Sequence, residues 1–195
     1  MGITLILLII AIGILLFIVG IYNNLVRLQN YVKNGWSQID VQLQRRYDLI
    51  PNLVESVKGY MAHERGTLEA VTNARNQASK IRESLAGSAP NQEGIKDLLA
   101  AETTLKGAMT NIFALAENYP QLKASDNMLR LQEELSSTEN KVAFARQSYN
   151  DYAMQYNTAQ KQFPAVLVAS LFGHQEAGLY QVEDAEAKKA VKVKF

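Results

Sequence analysis

The chain has 195 residues, with 20 Lys and Arg against 19 Asp and Glu, a net charge of +1, two His and no Cys. That balance argues against a basic nucleic-acid binder, and the missing Cys excludes disulfide frameworks, thiol catalysis and Cys-based metal sites. Its mean hydropathy of −0.12 is that of an ordinary soluble protein, but the average conceals an uneven chain.

Every charged side chain lies at or after Arg27. Between Ile3 and Ile21 the only polar side chain is Thr4. A helix over that stretch is roughly 28 Å long, close to the hydrocarbon thickness of a bilayer. The reading is an uncleaved transmembrane helix over residues 3–21 within an anchor of residues 1–22. A cleaved signal peptide needs a basic start and a small-residue cleavage site. Met1 to Thr4 carry no base, and Phe17 to Tyr22 form a poor cleavage site. Basic residues follow the span at Arg27, Lys33, Arg45 and Arg46 and none precedes it. The positive-inside rule then puts the N-terminus outside and the C-terminal part in the cytoplasm. Gly13 and Gly20 share a helix face but make no Gly-x-x-x-Gly pair, and they read as incidental small residues.

Beyond the span the chain reads as long amphipathic helices. Tyr22, Leu25, Gln29, Val32, Trp36, Ile39, Leu43 and Arg46 are spaced three and four apart, the mark of one buried stripe. This helix is expected to continue the anchor as one rod. Asp48 then reads as the N-cap of a second helix with Pro51 in its first turn. That helix carries Leu53, Val57, Tyr60, Glu64, Thr67, Val71, Ala74, Ala78, Ile81 and Leu85, and ends in the turn-forming run Ala86 to Pro90. A third carries Ile95, Leu98, Glu102, Leu105, Met109, Ile112, Ala116 and Tyr119 and stops at Pro120. Ser125 or Asp126 caps the fourth, whose stripe runs from Met128 through Leu135, Val142, Tyr149 and Tyr156 to Phe163. Its sustained heptad spacing predicts knobs-into-holes packing.

Short loops between long helices give an antiparallel, up-down-up-down four-helix bundle over residues 23–163, roughly 40–55 Å tall. The fold class is therefore all-α, an N-terminal transmembrane helix followed by that bundle. Residues 164–195 form an apolar segment and a tail. The apolar run Ala165 to Phe172 is too short to span a bilayer. It caps the bundle end, docks on another protomer or touches the membrane. The mixed-charge stretch Glu183 to Lys194 reads as a solvated tail, and alternation over Ala190 to Phe195 as a frayed end that extends as a strand only beside a partner edge.

A family pattern runs through these elements. Its opening is Tyr22-Asn23-Asn24-Leu25-Val26 and Asn34-Gly35-Trp36-Ser37-Gln38-Ile39-Asp40. It continues in Arg45-Arg46-Tyr47-Asp48-Leu49-Ile50-Pro51-Asn52-Leu53-Val54 and His63-Glu64-Arg65-Gly66-Thr67-Leu68. Glu117-Asn118-Tyr119-Pro120-Gln121-Leu122, Tyr149-Asn150, Tyr156-Asn157-Thr158 and Phe163-Pro164 complete it. The chain resembles the LemA family over nearly its whole length, departing where Gly35 and Tyr47 stand in place of Ala and His. The resemblance implies a bacterial inner-membrane protein with one N-terminal span and a helical body. It implies no catalytic activity and no cofactor, so it carries over no active-site residues.

The residues themselves offer little chemistry. His63-Glu64 lacks the second His of a zincin, because Thr67 stands there. The residues three before the two His are Tyr60 and Leu171, so no Glu-x-x-His di-iron motif occurs. Neither a phosphate-binding Gly-rich loop nor a Gly-x-Ser-x-Gly elbow is present. Glu64 and Glu102 fall on stripes and are read as stripe-edge carboxylates that reach water. The alternative is a polar layer that fixes register or binds a cation. Arg45, Arg46, Tyr47 and Asp48 are placed at the rod tip farthest from the membrane. There Arg46 ties Asp48 or a helix end, or offers charge to a partner. Tyr149-Asn150 and Tyr156-Asn157, one heptad apart, and Trp36 are read as core.

The expectation is a non-enzymatic membrane-anchored scaffold for protein–protein interaction or self-assembly, with no metal or cofactor and no nucleic-acid partner. Its partners are the bilayer, a second copy of itself and unidentified membrane or cytoplasmic proteins. A membrane-shaping oligomer and a sensory module coupled through the anchor are the alternatives. The candidate interaction residues are Arg45, Arg46, Asp48, Glu64, Glu102, Leu167, Leu171 and Phe172.

Overall fold

The computed structural model describes residues 2–61, 63–87 and 89–180, and the tail expectations for residues 183–195 lie outside them. Among the described residues all regular structure is helical: α1 Gly2–Lys58, α2 Arg65–Ser84, α3 Gln92–Ala116, α4 Pro120–Lys123, α5 Asp126–Lys161 and α6 Ala165–Leu171.

The anchor segment and the first amphipathic stretch are one helix, as the unbroken periodicity predicts. Its first part has exposed Ile, Leu and Phe on all sides. That apolar part is long enough to cross a membrane. From Leu25 onward a single stripe turns inward: Leu25, Val32, Trp36, Ile39, Leu43, Tyr47, Ile50, Leu53 and Val57 are buried.

The expected break at Asp48 does not occur, because α1 continues through Pro51 to Lys58. A proline inside a helix lacks the N–H that would bond the carbonyl four residues earlier. Here that carbonyl belongs to Tyr47. The Arg75 Nε of α2 donates to it at 3.2 Å. A side chain from a neighbouring helix thus replaces the missing backbone donor, and the helix survives its proline. The chain turns between Lys58 and Arg65 instead. Tyr60, expected on the stripe, is exposed, and Met61 is buried in its place.

The other boundaries follow local chemistry. Gly87 takes φ +87° in the turn after α2, a conformation that costs glycine little. The Asn91 side chain caps α3 by accepting from the Gly94 amide at 2.9 Å. Pro120 starts the short α4 rather than simply ending α3, which stops at Ala116. Ser125 stands at the N-cap of α5 without a side-chain capping bond. Phe163, placed on the fourth stripe, lies beyond the end of α5 and is exposed.

α1 packs most extensively on α5, and α2 on α3. Along the α1–α5 contact Tyr31 meets Tyr152 and Trp36 meets Tyr149, with ring centroids 5.9 and 5.8 Å apart. Gly35 permits the close approach: a Cβ there would lie 3.0 Å from Tyr152 Cδ2 and 3.2 Å from Tyr149 Cα. Besides the Arg75 bond, two polar ties join α1 to α2 and its end. Trp36 Nε1 donates to the Leu85 carbonyl at 3.1 Å, and Arg82 pairs with Asp40 at 2.8 Å. The main core runs through α1, α2, α3 and α5, and a separate small core joins α6 to α1.

Candidate functional site

The stripe of α3 places Leu98, Glu102 and Leu105 on one face, so a carboxylate enters the interior among leucines. Glu102 is 6% exposed, which corrects the reading of a stripe-edge side chain reaching water. Its carboxylate accepts from the Arg46 guanidinium and from the Tyr47 hydroxyl, both on α1. Arg146 Nη2 of α5 donates to it at 3.3 Å. Three helices therefore meet at one buried charge. An unpaired carboxylate at this depth would be costly, whereas two cations and a phenol satisfy its oxygens.

The surroundings act on each partner. Burial lowers the pKa of Arg46 from its ordinary value, with a further push from neighbouring Arg146 against the pull of Tyr47. Burial pushes the Tyr47 phenol up to about 12, opposed by the nearby guanidiniums. The Arg146 guanidinium lies over the Tyr180 ring, 4.3 Å from its centroid. Burial also raises the Tyr180 phenol.

Tyr180 arrives on a segment that sequence reading missed. Residues 174–180 have no regular secondary structure and lie against α5 and the start of α3. Three side-chain amides read its backbone, each pairing both the N–H and the C=O of one residue. Asn157 holds Ala177 at 2.9 and 2.8 Å, and Asn150 holds Tyr180 at 2.7 and 3.0 Å. Gln92 holds Leu179 at 2.9 and 3.2 Å. Tyr149 donates its hydroxyl to the Gly178 carbonyl at 2.8 Å, and the Tyr156 hydroxyl bonds His174 Nδ1 at 2.9 Å. The Gly178 amide donates to the Pro90 carbonyl at 3.0 Å. At Gly178 the strap passes so close to α3 that a Cβ would sit 2.6 Å from the Asn91 carbonyl carbon. The Tyr-Asn pairs one heptad apart were the visible signal. Their rings are core, as expected, and their amides and hydroxyls form the ladder for this strap.

Of the candidate residues only Arg46 and Glu102 join the cluster. Because α1 continues to Lys58, Arg46 sits within the body and not at a rod tip, and it ties to Glu102 and not to Asp48. Asp48 is exposed, accepts from Gln44 Nε2 at 2.7 Å and faces Arg75 at 3.8 Å. Arg45 is exposed. Glu64 is half-buried at the N-cap of α2 and makes no capping bond, so it is no buried stripe residue. Leu167, Leu171 and Phe172 are exposed on and beside α6.

One further surface feature belongs to the body. Between α1 and α5, on Ser37, Val41, Ser137, Phe144 and Ser148, lies a groove of about 660 Å³. Phe144 is 76% exposed there and Val41 stands open beside it. Among the described residues no group of three His, Asp or Glu is placed to hold a metal ion.

An all-helical body continuous with an apolar N-terminal helix defines the class: a helical protein whose first segment fits a single-pass membrane anchor. The LemA family model matches residues 35–195, and the chain belongs to the LemA family. The resemblance read from its motifs is thereby borne out. Protein LemA of Metamycoplasma hominis is 28% identical, over 91% of this chain and 77% of its own. Magnetosome protein MamQ 1 of Paramagnetospirillum magneticum and magnetosome protein MamQ of Magnetospirillum gryphiswaldense are each 25% identical. Both alignments span 84% of this chain and 66% of the relative, so they leave about a third of each relative unmatched.

Proposed function

We propose that this chain is a membrane-anchored, non-enzymatic helical scaffold that works by protein–protein contact, with self-association as its direct form. α1, α2, α3 and α5 make an up-down-up-down antiparallel bundle in this reading. The opposed ladder of rings between α1 and α5 supports it. The span crosses the bilayer once, and Arg27 and Lys33 at its exit favour a cytoplasmic body. Placement is the mechanism: α1 is unbroken from Gly2 to Lys58, so the position of the body follows the anchor directly.

The observation that carries the reading is the α1–α5 groove. Val41, Ala145 and the freely standing Phe144 give it apolar surface, and Gln38, Gln42, Asn140, Lys141 and three serines complete its lining. A large exposed aromatic at the edge of a concave surface is the kind of side chain that a protein interface buries, and the polar residues around it suit a rim. The buried Glu102 cluster supports the same reading, because it holds α1, α3 and α5 in fixed register and so presents the groove in one shape.

The absence of Cys makes the test direct. A single Ser137→Cys on the groove rim and a control Gln77→Cys on the exposed face of α2 are oxidised mildly in native membranes. The proposal expects disulfide-linked dimers from the rim position and none from the control. Equal yields, or none from either, would overturn it.

A further inference from the structure

The short helix α6 and its flanks run from Phe163 to Gly173 without a charged residue. Five large apolar side chains face outward on this stretch: Phe163, Val166, Leu167, Leu171 and Phe172. Leu171, at 77% exposed, stands out of the body almost entirely. Ser170 is the only polar side chain among them. Such a patch on a water-washed surface is a liability, so the question is what covers it.

The inner face of α6 answers by position. Val168 and Ala169 are buried against Leu25, with Ile18, Ile21 and Ala159 packed around them. The Phe172 ring lies 4.6 Å from Tyr22. Ile18 and Ile21 are in the last turn of the apolar stretch that begins at Ile3. Above them the rest of that stretch has no protein cover. Whatever medium bathes the end of that stretch also bathes the outer face of α6. The first charge on α1 is Arg27, six residues or about 9 Å past Ile21. On the other side the charges resume at Lys161 and Glu176, which pair at 2.8 Å. Charges thus bracket the apolar patch on the side of the body, at the height where the span gives way to polar sequence.

We infer that α6 is a second membrane-contacting element, inserted into the leaflet from which the body emerges. Seven residues cannot cross a bilayer, so the helix lies at the boundary between headgroups and acyl chains with its outer face in the lipid. Lipid is favoured over a second copy of the chain because the patch is continuous with the lipid-facing surface of α1. The consequence is mechanical. A lone transmembrane helix leaves the body free to rotate about its axis, and a second foot fixes that rotation. It also inserts apolar volume into one leaflet only.

This inference rests on residues 3–21 crossing the bilayer, and its test separates the two. Single-cysteine variants of the full chain carry an environment-sensitive fluorophore at Leu171→Cys, at Ile10→Cys in the anchor and at Phe144→Cys on the body. They are reconstituted in phosphatidylcholine–phosphatidylglycerol vesicles containing nitroxide lipids labelled either near the headgroup or near the bilayer centre. The expected result is strong quenching at Ile10 by the deep label. At Leu171 the shallow label should quench several-fold more than it does at Phe144. Quenching at Ile10 with Leu171 behaving like Phe144 overturns the inference and leaves the anchor standing. A blue-shifted Leu171 probe that no lipid label quenches also overturns it, in favour of cover by another copy of the chain. No quenching at Ile10 would remove the anchor and the inference together.

Discussion

Replacing Glu102 by glutamine tests whether the buried cluster holds the body in register. Glu102→Gln preserves the shape of the side chain and removes its charge. One oxygen that accepted hydrogen bonds becomes an amide nitrogen that donates, and it faces donors from Arg46, Tyr47 and Arg146. Two guanidiniums are then left close together without the carboxylate they both contact. Breaking a buried ion pair by removing one partner costs about 3–5 kcal/mol. Glu102 and Arg46 are 6% and 12% exposed, but Arg146 is 24% exposed and recovers some hydration. The lower end of that range applies, about 3 kcal/mol, or more than a hundredfold in the folding equilibrium. The assay is urea unfolding of the full chain in detergent, read by Trp36. It is the only tryptophan, is buried and is bonded to the Leu85 carbonyl, so its emission reports the α1–α2 contact. A companion variant, Glu102→Leu with Arg46→Met and Arg146→Met, removes every charge and should recover most of the loss. A Glu102→Gln protein within about 0.5 kcal/mol of the parent, at unchanged denaturant slope, would refute the reasoning.

Three further outcomes follow from the same geometry. Arg75→Met should cost about 1–2 kcal/mol by leaving the Tyr47 carbonyl unpaired, and much less in a Pro51→Ala background, where residue 51 donates to it again; equal costs in both backgrounds contradict the account of the unbroken α1. The Tyr47 phenol, raised from 10.0 to about 12, favours the protonated fold, so this contribution is complete below pH 10 and is lost as pH climbs toward about 12. Tyr149, Tyr156 and Tyr180 are raised too and act in the same direction, so urea midpoints should fall across that window, and a flat profile contradicts the burial of these phenols. Gly178→Val should force the strap off α3, with faster amide hydrogen exchange at Ala177, Leu179 and Tyr180; unchanged exchange would mean the ladder does not hold it.

The helices and the apolar N-terminal stretch were readable because their signals are local. Missing charge over residues 3–21 and three-four spacing in the body need no knowledge of neighbours. Pro51 misled because its rescue comes from Arg75 on another helix, which no local rule contains. Glu102 misled for a related reason: a carboxylate on a stripe is cheapest at the edge, and only partners from α1 and α5 make the interior tolerable. The strap was harder still. His174 to Tyr180 has no periodicity, and its backbone is satisfied by amides far away in sequence. The heptad-spaced Tyr-Asn pairs carried the trace, and reading them needed the segment they bind.

The central claim, a membrane-anchored scaffold that self-associates through the α1–α5 groove, is tested most directly by the protein mass of the full chain in detergent. Light scattering with the micelle contribution subtracted supplies it. The account predicts a multiple of the single-chain mass, which Phe144→Ser lowers toward one chain without unfolding the body. A single-chain mass for the unmodified protein across concentration would contradict it.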